Sequence, residues 1–296
     1  KPSSAASDVY KRQGINKSNP NATLDVNGNV QITGSLNITG SFGINNLSFD
    51  RIAVTPTGPN DNDAIAIGGQ NFTGFAPQAY LGSGNVAVGF YALYSATNAM
   101  SYNVAIGSNA LRAATGVSNA VAIGFNALRN STASGIAIGA GALSANTSGA
   151  DNIAIGYANL STNTTGGDNI AIGSSQVLNS NSTGGRNIAL GYRPMYYNSV
   201  GSTNIAIGSQ ALFFNTSGSK NIAVGQDTLI NNVLGNYNIA IGDTTGGGNV
   251  SGSYNVILGS NINSLPANLN NTIIIGDGQG NIRQYIDSNG YMGLGK

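Results

Sequence analysis

The sequence predicts an all-β fold, a parallel β-roll or β-solenoid of about thirteen coils of ~17 residues, with short β-hairpin modules at both ends. Three observations carry that expectation. A tetrapeptide of the form Ile-Ala-Ile-Gly recurs from Ile65-Ala66-Ile67-Gly68 to Ile273-Ile274-Ile275-Gly276. Its closing glycines, Gly68, Gly89, Gly107, Gly124, Gly139, Gly156, Gly173, Gly191, Gly208, Gly225, Gly242, Gly259 and Gly276, are spaced by 21, 18, 17, 15, 17, 17 and 18 residues and then by 17 five times. The composition, 43 glycines and 8% charged but 41% hydrophobic residues in 296, suits burial by stacked neighbours rather than by a wide core.

Numbered from its glycine, each copy has Ile, Val or Leu at −3 and −1. A branched pair with a glycine directly behind it reads as a short strand and its turn. These pairs, among them Ile153 and Ile155, Ile170 and Ile172, Ile205 and Ile207, Ile222 and Val224, and Ile239 and Ile241, are expected to form the core column. An apolar residue returns at +4, as in Leu111, Leu160, Leu212 and Leu229, and one place late at Leu178, predicting a second strand or bend on the same core. Polar corners follow, such as Asn163-Thr164-Thr165-Gly166-Gly167 and Asn215-Thr216-Ser217-Gly218, whose Asn and Gly are expected to supply positive φ. Stacking at roughly 4.8 Å per coil gives a rod on the order of 60 Å. Asn at −4, from Asn85 and Asn103 through Asn152, Asn169, Asn187, Asn204, Asn221 and Asn238 to Asn255, would stack amide on amide and close the hydrogen bonds of each turn.

Position −2 is Ala in eleven copies and Ile at Ile257 and Ile274. Strand alternation points it away from the −3/−1 pair. A solvated face would carry Thr, Ser, Lys or Gln, and none occurs. The row that includes Ala154, Ala171, Ala206, Ala223 and Ala240 therefore predicts a face packed closely against neighbouring chains, a homo-oligomer surface. The alternative is a small-residue preference of the strand itself.

Asn-Ile-Ala-Ile-Gly-x-x-Ala-Leu, as in Asn204 to Leu212 and, with Asn at the Ala place, Asn152 to Leu160, resembles the head repeats of trimeric autotransporter adhesins of the YadA type. Similar runs with Asn-Thr-Thr-Gly corners occur in phage and large-virus tail-fibre proteins. The resemblance covers residues 64–276 and implies a left-handed roll assembled as a parallel homotrimer. It also implies an extracellular place, on a virion tail fibre or a bacterial cell surface.

Outside the repeats the organisation changes. Asp8-Val9-Tyr10-Lys11-Arg12-Gln13 resembles the conceptual translation of a transposon end used in library construction, and residues 1–13 are set aside as such a scar. Residues 14–63 read as an N-terminal β module and connector, with Asn27-Gly28 between Leu24-Asp25-Val26 and Val30-Gln31-Ile32 as a hairpin signal. In the first insertion, Phe72, Phe75 and Tyr80 are read as a cap on the apolar column or a ligand patch. Residues 277–296 read as a second hairpin module, truncated at its end, with Asn289-Gly290 at its turn.

Chemistry-bearing residues are few. With no histidine and no cysteine, the histidine- and thiol-based triads and the usual zinc sites have no residues to build them, and the chain is read as a non-enzyme without cofactor or metal. A net charge of +1 argues against nucleic acid and acidic membrane surfaces, and no apolar run is long enough for a membrane helix. Asp151 and Asp168 share phase −5, followed there by Arg186 and Lys220, which reads as a solvated charge ladder or, alternatively, a calcium site. Arg112 and Arg129 share phase +5 and project from adjacent coils, a candidate grip for anionic glycans; Tyr196 and Tyr197 are candidates for stacking on sugars or for packing at an edge. Triplets such as Asn37-Ile38-Thr39 and Asn163-Thr164-Thr165 match the glycosylation pattern. The expected function is a structural and adhesive fibre segment that binds a host or cell-surface glycan or protein receptor. The competing expectation is a monomeric binding solenoid, ice-binding or glycan-binding, hinted at by Thr164-Thr165 and Thr244-Thr245.

Overall fold

A computed structural model of the chain describes residues 13–15, 24–26, 64–67, 84–94 and 100–295. The chain divides into two compact units, Lys1–Ile52 and Ala53–Lys296. In the first, β1 (Gln13–Ile15) pairs in parallel with β2 (Leu24–Val26). The predicted hairpin at Asn27-Gly28, the scar before Gln13 and the aromatics Phe72, Phe75 and Tyr80 lie outside the described residues.

The second unit is a parallel β-solenoid. Its strands are β3 (Ala64–Ile67), β4 (Asn85–Val88), β5 (Val104–Ile106), β6 (Val121–Ile123), β7 (Gly135–Ile138), β8 (Asn152–Tyr157), β9 (Ile170–Ser175) and β10 (Ile188–Leu190). They continue as β11 (Ile205–Ile207), β12 (Ile222–Val224), β13 (Ile239–Ile241), β14 (Val256–Leu258), β15 (Ile273–Gly276), β16 (Ile282–Ile286) and β17 (Met292–Leu294). All fifteen form one sheet in sequence order, parallel from β3 to β15, with equivalent motif residues paired, Ala206 with Ala223 and Ala223 with Ala240. Ten complete coils lie between β5 and β15, and an eleventh, lacking residues 95–99, between β4 and β5. Of the strand or bend expected at +4, the described coils have the bend: the residues around +4 form a turn. Inter-coil hydrogen bonds such as Leu212 N–H to the Thr228 carbonyl at 3.0 Å still stack it. Leu178 comes late because β8 and β9 shift register between Ile155 and Tyr157, which absorbs the extra residue.

The strand faces the opposite way from the expectation. Ala87, Ala105, Ala122, Ala137, Ala154, Ala171, Ala189, Ala206, Ala223 and Ala240 are fully buried inside their own coil, so they are not an oligomer face. Ile153, Ile155, Ile170, Ile172, Ile205, Ile207, Ile222, Val224, Ile239 and Ile241 stand outside it, part-exposed, up to 46% at Ile241. They are therefore not the interior column. The reason is width. Each coil must hold the −2 and +4 side chains together with a small +3 side chain such as Ala110 or Ala211, which leaves room for alanine at −2 where +4 is leucine. Where +4 shrinks to Gly246, the −2 residue that follows grows to Ile257, fully buried; a Cβ on Gly246 would lie 2.8 Å from Leu229 Cδ2 and 3.3 Å from Ile257 Cδ1. Ile257 at −2 is thus volume compensation within one chain.

The +4 residues occupy their site at a conformational cost. Leu111, Leu160, Leu212 and Leu229 have φ between 49° and 53°, in the left-handed region. That costs roughly 1–2 kcal/mol per residue, while fully burying a leucine side chain gains about 1.5–3 kcal/mol. Burial wins by a small margin in each coil, and the gain repeats.

Polar groups inside the coil are matched by two stacked asparagine ladders. In the −4 ladder, Asn204 Oδ1 accepts from Asn221 N–H at 2.9 Å and from Asn221 Nδ2 at 3.1 Å, and Asn204 Nδ2 donates to Asn187 Oδ1 at 3.2 Å and to the Gly218 carbonyl at 2.8 Å. The amide has every bond it can make. The second ladder, at +7, consists of Asn146, Asn163, Asn181, Asn198, Asn215, Asn232 and Asn249, all fully buried. Asn215 Nδ2 donates to Asn198 Oδ1 at 2.6 Å and to the same Gly218 carbonyl at 2.9 Å, so one corner carbonyl ties both ladders together. In the two corners named above, Asn163, Gly166, Gly167, Asn215 and Gly218 do not supply positive φ. Gly218 is glycine because a Cβ there would meet Asn215 Oδ1 at 2.3 Å and the Gly235 carbonyl at 2.4 Å. The left-handed residues of the corner sit at −5 instead: Asp151, Asp168, Arg186, Thr203, Lys220, Tyr237 and Tyr254, with φ from 56° to 62°.

At the C-terminal end the sheet turns antiparallel through β15, β16 and β17, and the last two form the predicted hairpin. Its loop is not the two-residue turn that Asn289-Gly290 suggests. Asp287 Oδ1 accepts from the N–H groups of Asn289 and Tyr291, each at 2.9 Å, and only Gly290 is left-handed, at φ 83°. The β15–β16 turn is closed the same way by Asp277. The Asn281 side-chain amide, the Gln279 N–H, the Arg283 guanidinium and the Asn281 N–H converge on its carboxylate and hold it well below the usual carboxylate range.

Two predictions follow from this packing. Ile257→Ala should destabilise the rod by about 2–5 kcal/mol through the cavity it leaves, and adding Gly246→Leu should recover most of the loss by restoring the pattern of the other coils; a double-mutant cycle in urea measures both. Because folding lowers the Asp277 pKa, its contribution to stability is complete above the unfolded value near ~3.9 and is lost as pH falls through the folded value. The difference in thermal midpoint between the native chain and Asp277→Asn should accordingly hold from neutral pH to about pH 5 and shrink below about pH 4.

Candidate functional site

Three of the outward-facing surfaces bear on function. The first is the aliphatic face of β4 to β15, described above. The second is the −5 row at the corner beside it. There Arg186 Nε lies 4.0 Å from Asp168 Oδ2, Lys220 Nζ donates to the Tyr237 hydroxyl at 2.6 Å and lies 4.6 Å from that ring's centre, and Tyr237 stacks on Tyr254 at 4.9 Å. In this charge ladder Asp151 Oδ1 accepts from Ser134 Oγ at 2.8 Å, and Asp168 has Arg186 beside it. Among the described residues no group of three or more carboxylates stands where it could hold a metal.

The third surface lies half a coil from the strand, on rows +5, +6 and +8. Arg112, Arg129 and Tyr196 all belong to row +5, and Tyr197 to row +6. The structure does not bring them together: Arg129 and Tyr196 are four coils apart, on the order of 19 Å along the rod. Arg112 stacks over Tyr91, 4.7 Å from its centre, and Arg129 has a buried Nε without a partner. Tyr196 and Tyr197 do belong to a cluster, but with residues that the sequence reading passed over. Phe213 stacks on Tyr196 at 5.4 Å and Phe214 on Tyr197 at 5.5 Å, a two-by-two array closed by edge-to-face contacts of 4.7 Å between Tyr196 and Tyr197 and 4.8 Å between Phe213 and Phe214. Arg193 covers it, 4.3 Å from the Tyr196 ring centre. The signal was present in the repeat, since Tyr196-Tyr197 and Phe213-Phe214 are one 17-residue period apart.

Beside this array runs an open groove of about 590 Å³ lined by Tyr197, Phe214, Thr216, Asn231, Val233 and Val250. The glycosylation-type triplet at Asn163 is not an acceptor in the fold, because Asn163 is fully buried in the +7 ladder; Asn37 lies outside the described residues.

Removing the exposed ion pair should matter little. Arg186→Ala is expected to change unfolding free energy by less than about 1 kcal/mol, as measured in urea, because both partners are mostly solvated. Compared with known protein families, curated proteins and solved structures, the chain matches none of them.

Proposed function

We propose that this chain is a structural and adhesive fibre segment, displayed outside a cell or virion, that assembles as a parallel homotrimer with its aliphatic strand face turned toward the shared axis. The observation that carries the reading is the unpartnered outer face of the sheet. From β4 to β15, two columns of Ile, Val and Leu run the length of the rod without a polar interruption. Ile106, Ile172, Ile207, Ile241, Ile273 and Ile275 are each 37–46% exposed in the single chain. At roughly 4.8 Å per strand the stripe covers on the order of 600 Å², the upper end of the roughly 300–600 Å² that the largest apolar patch on a soluble monomer reaches, a size often tied to function. The face repeats at every coil from β4 to β15, so further copies in the same register meet the same residues along its length. Three rods joined in this way would resist shear and present every outer corner in triplicate, so that weak contacts to a cell-surface receptor add up.

The monomeric ice-binding reading has less support. The hydroxyls of the +8 row are engaged within the rod: Thr147 Oγ1 donates to the Thr164 carbonyl at 2.8 Å and Thr164 Oγ1 to the Ser182 carbonyl at 2.9 Å. Thr245 is buried.

Light scattering during size exclusion tests the assembly. The native chain should elute at three chain masses, and Ile207→Lys combined with Ile241→Lys should give a folded monomer with unchanged circular dichroism. A native monomer overturns the proposal; a dimer keeps the face and refutes the number.

A further inference from the structure

Among the described residues five buried side-chain polar atoms stand without a partner, and three of them, Asn109 Oδ1, Asn126 Oδ1 and Arg129 Nε, lie in two successive coils. Position +2 there is Asn109 and then Asn126, and position +5 is Arg112 and then Arg129. Stacking joins the two levels directly, since the Ala113 N–H donates to the Arg129 carbonyl at 2.8 Å. Equivalent backbone positions are thus about 4.8 Å apart, a spacing at which like charges repel. No carboxylate offsets the pair: from residue 64 to residue 150 the two arginines are the only charged residues.

Elsewhere among the described residues the cations have partners. Arg186 has Asp168, Arg283 has Asp277, Lys220 has the Tyr237 hydroxyl and Arg193 has the Tyr196 ring. Arg112 rests on Tyr91, 4.7 Å from its ring centre, with Tyr94 at 6.0 Å, and Tyr91 meets Phe90 and Tyr94 edge-to-face at 4.0 and 4.5 Å. Such a contact uses the face of the guanidinium and leaves its in-plane N–H groups available. No hydrogen bond or ion pair among the described residues takes the guanidinium of Arg112 or of Arg129. Beside Arg129 the surface opens: the next +5 residue is Ser144, and the next +2 residue is Gly141, where an added Cβ would meet nothing closer than 3.8 Å.

We infer that Arg112 and Arg129, with Asn109 and Asn126 beside them, form a binding site for an acidic sugar, one that carries a carboxylate or sulfate group. Each part of the site calls for one part of that ligand. Two guanidiniums without a counter-charge call for an oxyanion, which takes their N–H groups in charge-assisted, two-point bonds. The two amide oxygens call for donors, and a sugar carries hydroxyls on the same ring as its anionic group. A sulfate ion has no donor to give them, and an acidic peptide has one backbone N–H per residue. Nucleic acid gains little from a site that neutralises only two phosphates. Phe90, half-exposed at the edge of the ring cluster, offers the apolar face of a sugar a surface to lie on. The +5 row is half a coil from the aliphatic strand face, so the site stays open when that face is covered. The inference names the receptor chemistry of the adhesive reading and rests on that reading for its biological meaning.

Calorimetric titration of the full chain tests it, with trigalacturonate and sulfated maltotriose as acidic probes and maltotriose, triaspartate and sodium sulfate as controls. At least one acidic trisaccharide should bind, more weakly as salt is raised, and every control should bind at least tenfold more weakly. Which acidic probe binds distinguishes carboxylate from sulfate. Arg129→Gln, whose guanidinium has no partner in the rod to lose, should lower affinity about tenfold. Asn126→Gly, which keeps the left-handed backbone and removes the amide, should lower it too, while Arg186→Ala leaves it unchanged and all three variants melt as folded chains. Binding of neither acidic probe overturns the inference, as does an equal loss on Arg186→Ala, which would mark diffuse charge attraction. Triaspartate or sulfate binding as tightly as the sugars overturns it in favour of an acidic-peptide or small-anion site. Solution mass is read separately: a monomer that binds an acidic trisaccharide keeps the site and loses the assembly, and a trimer that binds neither keeps the assembly and loses the site.

Discussion

The fold depends on the width of its interior. A 17-residue coil encloses room for the −2 alanine, the +4 leucine, one more small side chain at +3 such as Ala110 or Ala211, and two amides. The amides set the rise: each asparagine spans from one coil to the next through its own oxygen and nitrogen, and the shared glycine carbonyl prevents one ladder from slipping against the other. Buried amides left unpaired cost about 1–3 kcal/mol each, so a slip of one coil out of register would be penalised at every level at once. The apolar pair then sets the width, which is why leucine is held in the left-handed region and why the alanine beside it enlarges only where leucine is missing.

From this constraint the outer surface follows. Alternation along a three-residue strand places two side chains outside for each one inside. Because the inside position is the alanine, the larger branched residues face out. A rod built this way makes a small private core and a large public apolar face with the same tetrapeptide. Stability of the single coil and association between chains are therefore written in adjacent residues.

The period, the strand and its glycine, the stacking asparagines at −4, the parallel architecture and the C-terminal hairpin were all legible in the sequence, because each depends on spacing alone. Which face of the strand is interior was not. Branched residues at −3 and −1 look like a core, and alternation fixes only that Ala154 opposes Ile153 and Ile155, not which side is enclosed. The clue lay in the exchange of Gly246 and Ile257 across coils, each 17 places from its counterpart in the preceding copy, Leu229 and Ala240, rather than within one motif. The second asparagine ladder was hidden for a related reason. Asn163 and Asn215 sit in runs of Thr, Ser and Gly that read as loop, and only the closed coil shows their amides pointing inward. Of the candidate binding residues, Tyr197 lines the groove and Tyr196 supports it. Arg112 and Arg129 are on the same row but in other coils, and Phe213 and Phe214 come into view once the period is applied to aromatic residues as well as to glycine.

The −5 row has a consequence of its own. Its residues are left-handed without being glycine, and Asp151, Asp168, Arg186, Lys220, Tyr237 and Tyr254 all hold the same backbone with their side chains in solvent. A left-handed backbone costs glycine nothing, asparagine and aspartate little and other residues more, yet the row holds acidic, basic and aromatic residues alike. The corner thus works as a blank margin beside a fixed text: one character per coil, a coil's rise apart, that substitution can rewrite in charge, aromaticity or size while the interior that specifies the rod stays unaltered.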